Sequence, residues 1–326
     1  MKLFKSLKVL TLGVLVMGMA ACSNTGGKVE SADNYPSRAI SLTIPYAAGG
    51  SADLQARIVS EVVQKDLGET VNIISKPGGA GSTGMTAVKS AKPDGYNIIL
   101  TAVGPSTLTP NANNVGYDVT TDFKQIAQIS EAPYGIAVNS DSGIKTLEEL
   151  MNFAHEKKVT YGTTGAGLHQ HVVTAAFVKS QGDLDMEHIP FEGGAEAVTA
   201  LLGNHINASV NTISELLPHD GNGLTILAVT SKERLEELPD VPTFEELGYD
   251  LIGNGAWFGM MAPKDTPDDI ISKLDESIRK ALEDPGVIEQ FKKAGIPIAY
   301  LNAEDFTKKV KDENEKNKEV VTSLND

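Results

Sequence analysis

Two glycine-rich turns carry the residues of this chain whose types and spacing best suit chemistry. The first turn lies in the run IPYAAGGSAD at 44–53, and the second in KPGGAGSTG at 76–84. Each follows a strand-like run and opens a helix, so free backbone N–H groups meet the positive end of a helix dipole there. Such a turn binds an anion without a basic side chain. The pair predicts a carboxylate or phosphate pocket.

The second turn also matches a dinucleotide-binding fingerprint, G-x-G-x-x-G at 79–84, between a strand and a helix. The next strand ends in LTAV at 100–103 and offers no acid to hold a ribose hydroxyl. This argues against a nicotinamide or flavin site. The chain also contains no G-x-x-x-x-G-K-[ST] phosphate loop. The sequence therefore predicts no cofactor.

Two other chemical arrangements are incomplete. Residues 80–84 nearly form a nucleophile elbow around Ser82, but Ala80 stands where the first glycine is needed. No histidine is placed in an evident way to act as the base of a hydrolase. His169 and His171 are two residues apart, so they do not share a helix face, and no third metal ligand accompanies them. We expect no metal site, a capping or pocket-lining His171, and a solvated His169.

Strands and helices alternate around the two turns. The strand-like runs of the first half are 40–44, 70–75 and 96–103. Helical spacing of apolar residues begins after each glycine turn, and we expect Ser51 to cap the first helix. Strand, helix, strand, helix, strand predicts a parallel sheet. Extended runs at 126–129 and 134–138, a second α/β series over 147–230, and a final strand followed by three helices predict two similarly built lobes.

Several side chains near the turns have simple structural interpretations. Arg57 lies one helical turn beyond Asp53, which is typical of an intrahelical ion pair. Lys76 stands at the mouth of the second turn, and we expect it to be solvated because lysines are mostly exposed. Trp257, on the final strand, is compatible with either the core or a cavity wall.

The N-terminal segment has a different composition. Three lysines precede an apolar run at 9–21, which is too short to span a bilayer and is typical of a signal peptide at 1–21. Cys22, the one cysteine, follows Met-Ala-Ala and fits a bacterial lipobox, so we expect it to be lipidated; the other interpretation is a spare thiol. Residues 22–35 are rich in small and polar residues and predict a flexible, lipid-anchored tether.

Composition and charge narrow the class of protein. The chain has 326 residues, 41% of them hydrophobic and 22% charged, which is ordinary for a globular protein. Its net charge is −15, and removal of a lysine-bearing leader makes it more negative. Nucleic acid is therefore excluded as a partner. Net charge does not exclude a small anion, because local dipoles dominate within the screening length.

The chain resembles the substrate-binding receptors of tripartite tricarboxylate transporters, also called Bug receptors. The segments that carry the resemblance follow in order at 45–57, 76–84, 92–96, 161–171, 188–194, 201–203, 227–249 and 257–263. Departures from the family pattern concentrate near the expected pocket. Ala48 replaces a common proline, Leu168 a small hydroxyl residue, Asn204 a glycine and Asn211 a common aspartate. These departures leave the identity of the ligand open.

The resemblance implies a type II periplasmic-binding fold, in which a ligand cleft lies between two Rossmann-like α/β domains joined by hinge strands. Domain 1 is expected over 36–131 and 254–326, and domain 2 over 132–253. The implied function is not enzymatic. It is that of an extracytoplasmic, membrane-anchored, monomeric lipoprotein that binds a di- or tricarboxylate and delivers it to membrane transporter subunits.

The expected ligand contacts come from both lobes. In the first lobe they are Tyr46, Ala48, Gly49, Gly50, Ser51, Asp53, Gly79, Ala80, Gly81 and Thr83. In the second they are Thr163, Thr164, His171, Phe191 and Asn211. Two alternatives remain at this point: a ligand-binding partner of a sensor kinase, and a secreted enzyme acting on a carboxylate through Ser82 or His171.

Overall fold

The computed structural model describes residues 34–182, 184–249 and 255–325, with side chains as far as 318. The expected signal peptide, Cys22 and nearly all of the expected tether lie outside the described residues. Two sheets and the helices around them make up the described part. No helix there is both long and apolar enough to cross a membrane.

The strands are, in chain order, β1 (Ile40–Ile44), β2 (Val71–Ser75), β3 (Asn97–Ala102), β4 (Phe123–Ala132), β5 (Tyr134–Asn139), β6 (Val159–Thr163), β7 (Met186–Pro190), β8 (Ala208–Thr212), β9 (Leu224–Val229), β10 (Ala256–Pro263) and β11 (Ile298–Leu301). The α-helices are α1 (Ser51–Leu67), α2 (Ser82–Lys89), α3 (Thr109–Ala112), α4 (Leu147–Glu156), α5 (His169–Ser180), α6 (Gly194–Leu202), α7 (Ile213–Leu216), α8 (Asp268–Glu283), α9 (Pro285–Lys293) and α10 (Ala303–Asn325).

The first sheet has the strand order β11-β4-β10-β3-β1-β2, and the second has β7-β6-β8-β5-β9. Strands β2, β1 and β3 are parallel, as the alternating pattern predicts, and so are β7, β6 and β8. Strand β10 runs antiparallel to both β3 and β4, and β5 runs antiparallel to both β8 and β9. Both sheets are therefore mixed, which local pattern did not reveal.

The chain passes from the first sheet to the second between β4 and β5, and returns between β9 and β10. The first passage falls at Pro133, close to the expected boundary at 131–132. The second expected boundary, at 253–254, lies outside the described residues. The exact domain limits therefore stay predictions.

Apolar periodicity explains why the elements around the first turn pack as they do. Ile40, Leu42 and Ile44 of β1 are fully buried. Helix α1 covers this sheet with Ala56 and Val59, which are also fully buried and one turn apart. The core packing of β1 and α1 therefore fixes both ends of the turn between them, at the C-terminal end of β1.

Strand β10 is buried along its whole length because it lies in the middle of the first sheet. Gly259 on this strand lets α10 approach: a Cβ there would lie 2.3 Å from Cζ of Phe306. Trp257 is 3% exposed, packs edge-on against Phe306 and donates its indole N–H to Glu313. The structure therefore assigns Trp257 to the core.

Candidate functional site

A cavity lies between the two lobes where three helices begin; we call it the inner cavity. Its cavity volume is about 30 Å³, room for one or two water molecules in the described arrangement of the lobes. Its walls include Gly50 and Ser51 at the start of α1, His169 and Gln170 at the start of α5, and Gly194 at the start of α6. Helix N-termini present free N–H groups and positive dipole ends. Three of them therefore favour negative charge in this cavity.

One wall of the inner cavity is a glutamate, Glu215, from the second lobe. Its Oε1 accepts a hydrogen bond from the N–H of Ser51 at 3.0 Å, and its Oε2 accepts one from the Thr212 hydroxyl at 2.9 Å. The Thr212 N–H is a third donor. Burial raises the pKa of Glu215, and these hydrogen bonds oppose that shift because they favour the charged form.

Gly194 leaves just enough room for this carboxylate. A Cβ at residue 194 would lie 2.2 Å from both carboxylate oxygens of Glu215, so any side chain there would displace them. The start of α6 therefore faces the carboxylate directly. The Glu215 carboxylate consequently lies between the N-termini of α1 and α6, which stabilise its charge.

Direct hydrogen bonds join the lobes around the start of α1. Besides the bond from Ser51 to Glu215, the Ser214 hydroxyl donates to the Ser51 hydroxyl at 2.9 Å. The N–H of Ala47 donates to the carbonyl of Glu192 at 3.2 Å. These contacts close one side of the cleft. The expectation that Ser51 caps α1 is wrong, because the N-cap is Gly50 and no side chain caps the helix.

Asp53, in the first turn of α1, stabilises the first glycine turn through a hydrogen bond. Its carboxylate accepts a hydrogen bond from the N–H of Gly49 and binds Arg57 through both an ion pair and a second hydrogen bond, all within about 3 Å. The predicted pair with Arg57 is thus confirmed. Gly49 has φ +88° and needs to be glycine. The N–H of Gly49 donates to Asp53 and is not available to a ligand, so Gly49 determines the shape of the turn. Gly50 and Ser51 line the inner cavity.

The start of α5 brings uncharged polar groups to the inner cavity. The Thr164 hydroxyl donates to the side-chain carbonyl of Gln170. Nδ1 of His169 lies 2.9 Å from the Tyr134 hydroxyl. Burial lowers the pKa of His169 to about 4, so the ring is neutral at pH 7. His169 is therefore a partly buried cavity residue with a hydrogen-bond partner, and the expectation that it is solvated is wrong.

The second glycine turn borders a neighbouring space, which we call the outer cavity. Its cavity volume is about 400 Å³, and it is lined by residues 78–81 together with Phe191, Glu192 and Glu196. Tyr46, Thr164 and Leu168 line both cavities, so the two spaces adjoin at these side chains.

The second turn is built from left-handed backbone. Residues 78–81 all have positive φ, including Ala80 at +52°. The N–H of Gly81 donates a hydrogen bond to the Gly78 carbonyl within the turn. The N–H groups of Gly79 and Ala80 donate to nothing in the described part of the chain. Those two amides are therefore open to the outer cavity or solvent.

The expected ligand contacts divide into three groups. Four line the inner cavity: Tyr46, Gly50, Ser51 and Thr164. Gly79, Ala80, Gly81 and Phe191 line the outer cavity, with Tyr46 and Thr164 shared. The remaining seven line neither cavity: Ala48, Gly49, Asp53, Thr83, Thr163, His171 and Asn211.

The buried members of the third group support the walls. Thr163 is hydrogen-bonded to His188 at 2.8 Å, and His188 stacks on His171 with ring centroids 3.9 Å apart. Asn211 donates to the Ser209 hydroxyl at 2.7 Å, and its Oδ1 has no partner in the described residues. Ala48 and Thr83 are exposed.

Sequence reasoning missed Glu215, Gln170, Tyr134 and Gly194 as cavity residues. A signal for Glu215 was present, because residues 212–215 read Thr-Ile-Ser-Glu, which is a capping-box pattern. That pattern predicts the bond back to Thr212. It does not predict the bond to Ser51, which depends on how the lobes meet.

No cluster of histidine, cysteine or acidic side chains suited to a metal ion occurs within 34–182, 184–249 and 255–325. Ser82 starts α2 with Gly81 as its N-cap. His171 accepts a hydrogen bond at 3.0 Å from the N–H of Gly167, the residue before Leu168, which is the N-cap of α5 and has no side-chain cap. Neither Ser82 nor His171 lines the inner cavity.

Two α/β lobes with a cavity between them, built from helix N-termini, define a periplasmic-binding-protein architecture. The sequence matches the model of the tripartite tricarboxylate transporter family receptor, TctC, over residues 55–325. This chain belongs to that family. The resemblance noted from the sequence is confirmed, and the family is one of transport receptors rather than enzymes.

Individual relatives agree with this assignment. BugT of Bordetella pertussis is 30% identical over 304 residues, which are 90% of this chain and 90% of BugT. The structure of the periplasmic binding protein BugD superposes with a TM-score of 0.84 at 32% identity, covering 89% of this chain and 98% of BugD. MatC from Rhodopseudomonas palustris with bound malate gives 0.81 at 25% identity, covering 88% and 100%. The predicted fold class is confirmed.

Proposed function

We propose that this protein is an extracytoplasmic receptor that captures a small organic carboxylate, with two or three carboxyl groups, between its lobes and delivers it to a tripartite transporter in the membrane. The observation that carries the proposal is the meeting of three helix N-termini, from α1, α5 and α6, at one cavity. The bound malate of the relative MatC supports the ligand class.

The chemistry of the cavities suits a carboxylate held mainly by backbone. Neither cavity is lined by lysine or arginine, so N–H groups and hydroxyls supply the donors. The N–H of Gly50 donates to no group in the described part of the chain and is available at the inner cavity. Gly79 and Ala80 offer two more amides at the outer cavity. Bridging waters serve where a direct contact does not reach, since they are enthalpically nearly as good.

Binding by purified protein tests the proposal. Calorimetry with malate, succinate and citrate should show saturable binding of at least one acid by the parent. Gly194→Ala should weaken it strongly, because the added Cβ displaces the Glu215 carboxylate into the cavity. Gly116→Ala is the matched control, since residue 116 lies in open space. If Gly194→Ala bound as tightly as Gly116→Ala, the inner cavity would not be the ligand site.

We further propose that Cys22 carries the lipid that holds the receptor at the extracytoplasmic face of the membrane, with 22–35 as the tether. Metabolic labelling with palmitate should mark the parent and leave Cys22→Ser unlabelled. The variant should also move from the membrane fraction to the soluble fraction. Membrane retention of an unlabelled Cys22→Ser protein would contradict the anchor.

We also propose that domain 1 (36–131 and 254–326) and domain 2 (132–253) close on the ligand as two bodies, through the β4–β5 and β9–β10 connections. Small-angle scattering should give a smaller radius of gyration after saturation with a bound carboxylate. An unchanged radius at saturation would argue for a cleft that is closed in both states.

A further inference from the structure

The inner cavity has an unusual balance of charge for a receptor of multiply charged anions. Glu215 is the one ionisable acid on its walls, and no lysine or arginine lines it. His169 is neutral at pH 7 because burial lowers its pKa to about 4. A ligand that enters this space when the lobes separate therefore meets one acidic side chain, whose hydrogen bonds favour its charged form, and no positively charged side chain.

Neutral donors hold the Glu215 carboxylate in place. Ser51 and Thr212 supply three hydrogen bonds, from two N–H groups and one hydroxyl. An ionised carboxylate has about four acceptor sites, so one remains for a donor from the cavity. The oxygens are held from both lobes, and they lie so close to Gly194 that a Cβ there would be 2.2 Å from each of them. The carboxylate is thus oriented but not neutralised by a cation.

The outer cavity is also lined by acidic side chains. Glu192 and Glu196 are exposed on its rim, and no basic side chain lines it. Among carboxylates, charge complementarity therefore favours a ligand that also carries a cation, because the second negative charge of a plain di- or tricarboxylate would approach Glu215 in a partly dehydrated space. A ligand that brings its own cation removes this conflict.

We propose that Glu215 determines specificity by accepting a hydrogen bond from an ammonium group of the ligand, so that this receptor prefers amino-bearing carboxylates to plain di- or tricarboxylates. This rests on the proposed function, since it assigns the ligand class of the same cavity. The ligand carboxylate takes the open amides of Gly50 and the second turn. Its ammonium group takes the remaining acceptor site on Glu215, in a charge-assisted bond.

Two matched pairs of acids test the proposal: L-glutamate with glutarate, and L-aspartate with succinate. The members of each pair differ by the α-ammonium group alone. Calorimetry on the full chain purified in detergent should show at least one amino acid binding about tenfold or more tightly than its partner, the range expected of one hydrogen bond to a charged group. Glu215→Gln should reduce that ratio to about threefold or less, since an amide is uncharged. The exposed Glu156→Gln should leave it unchanged.

Each outcome decides between explanations. Equal binding within both pairs, or a ratio that survives in Glu215→Gln, overturns the role of Glu215 while the carboxylate receptor stands. Equal tightening of both members of a pair in Glu215→Gln also overturns it, because Glu215 would then compete with the ligand carboxylate for the Ser51 amide. Failure of all four acids to bind, together with malate and citrate, counts against the proposed function itself.

Discussion

The N–H of Ser51, the first residue of α1, donates a hydrogen bond to the carboxylate of Glu215 at 3.0 Å, across the boundary between the lobes. The first glycine turn was expected to present this amide to a ligand. In the described structure a carboxylate of the protein itself holds it. The relationship shows that the start of α1 holds a carboxylate, and it is the basis of the role in ligand choice proposed for Glu215.

Removal of that single amide is testable, because Ser51 occupies the helix position that tolerates proline. Gly50 before it is extended, with φ −89° and ψ −175°, as a residue before proline prefers. Ser51→Pro should lower the free energy of unfolding by about 1.5–3 kcal/mol more than Ser51→Ala, because it deprives a charged acceptor of its donor. Both variants lose the hydroxyl, so urea denaturation isolates the amide. Equal stabilities would mean that the bond contributes nothing.

Asp53 should matter more for stability than the ion pair that it forms. Asp53→Ala leaves the N–H of Gly49 without its acceptor, and we expect a loss of about 1–2 kcal/mol. Arg57→Ala should cost less than about 1 kcal/mol, because the Arg57 side chain is 62% exposed and surface pairs are weak. Thermal unfolding of the two variants ranks them. The reverse order would place the main contribution in the ion pair.

Gly81 should be the least replaceable glycine of the second turn. It has φ +86°, and a Cβ there would lie 2.5 Å from Cγ of Pro105. Gly143 has a similar φ of +74° but open space around it, so Gly143→Ala measures the backbone cost alone. Gly81→Ala should be about 1–3 kcal/mol less stable than that control, because overpacking adds to strain. The difference is measured from the midpoints of urea denaturation, provided that the m-values of the two variants are equal.

The partly buried histidines His169 and His188 should make the protein less stable as the pH falls. Burial holds the pKa of His169 at about 4, whereas its ordinary value is 6.5. Between these values the unfolded chain takes up a proton that the folded protein refuses, so the free energy of unfolding decreases by roughly 2 kcal/mol from pH 6.5 to about 4.5. His188, whose pKa burial also lowers to about 4, acts in the same direction.

His169→Asn should therefore flatten, without abolishing, the pH dependence of unfolding in that window. Asparagine retains a polar group near the Tyr134 hydroxyl but does not titrate. The exposed His155→Asn is the control and should leave the slope as in the parent. A His169→Asn slope equal to that of the parent would show that His169 is protonated in the folded state as readily as in the unfolded chain.

Several features of the site could be predicted without the structure because they depend on neighbours in the chain. The positive φ values of most glycines in the two turns, the helix that follows each turn, and the pair of Asp53 with Arg57 all follow from local pattern. The order of the motifs further identified the receptor family, whose model matches most of the chain.

The sequence by itself determined two α/β lobes, their glycine turns and the family, since turn chemistry and apolar periodicity act over short distances. Tertiary structure decided what those turns face. It separated the two turns into adjoining cavities, buried His169 against Tyr134, and brought Glu215 to Ser51 over 164 residues of chain. These relationships depend on how two separately formed lobes meet, and no local pattern records that geometry.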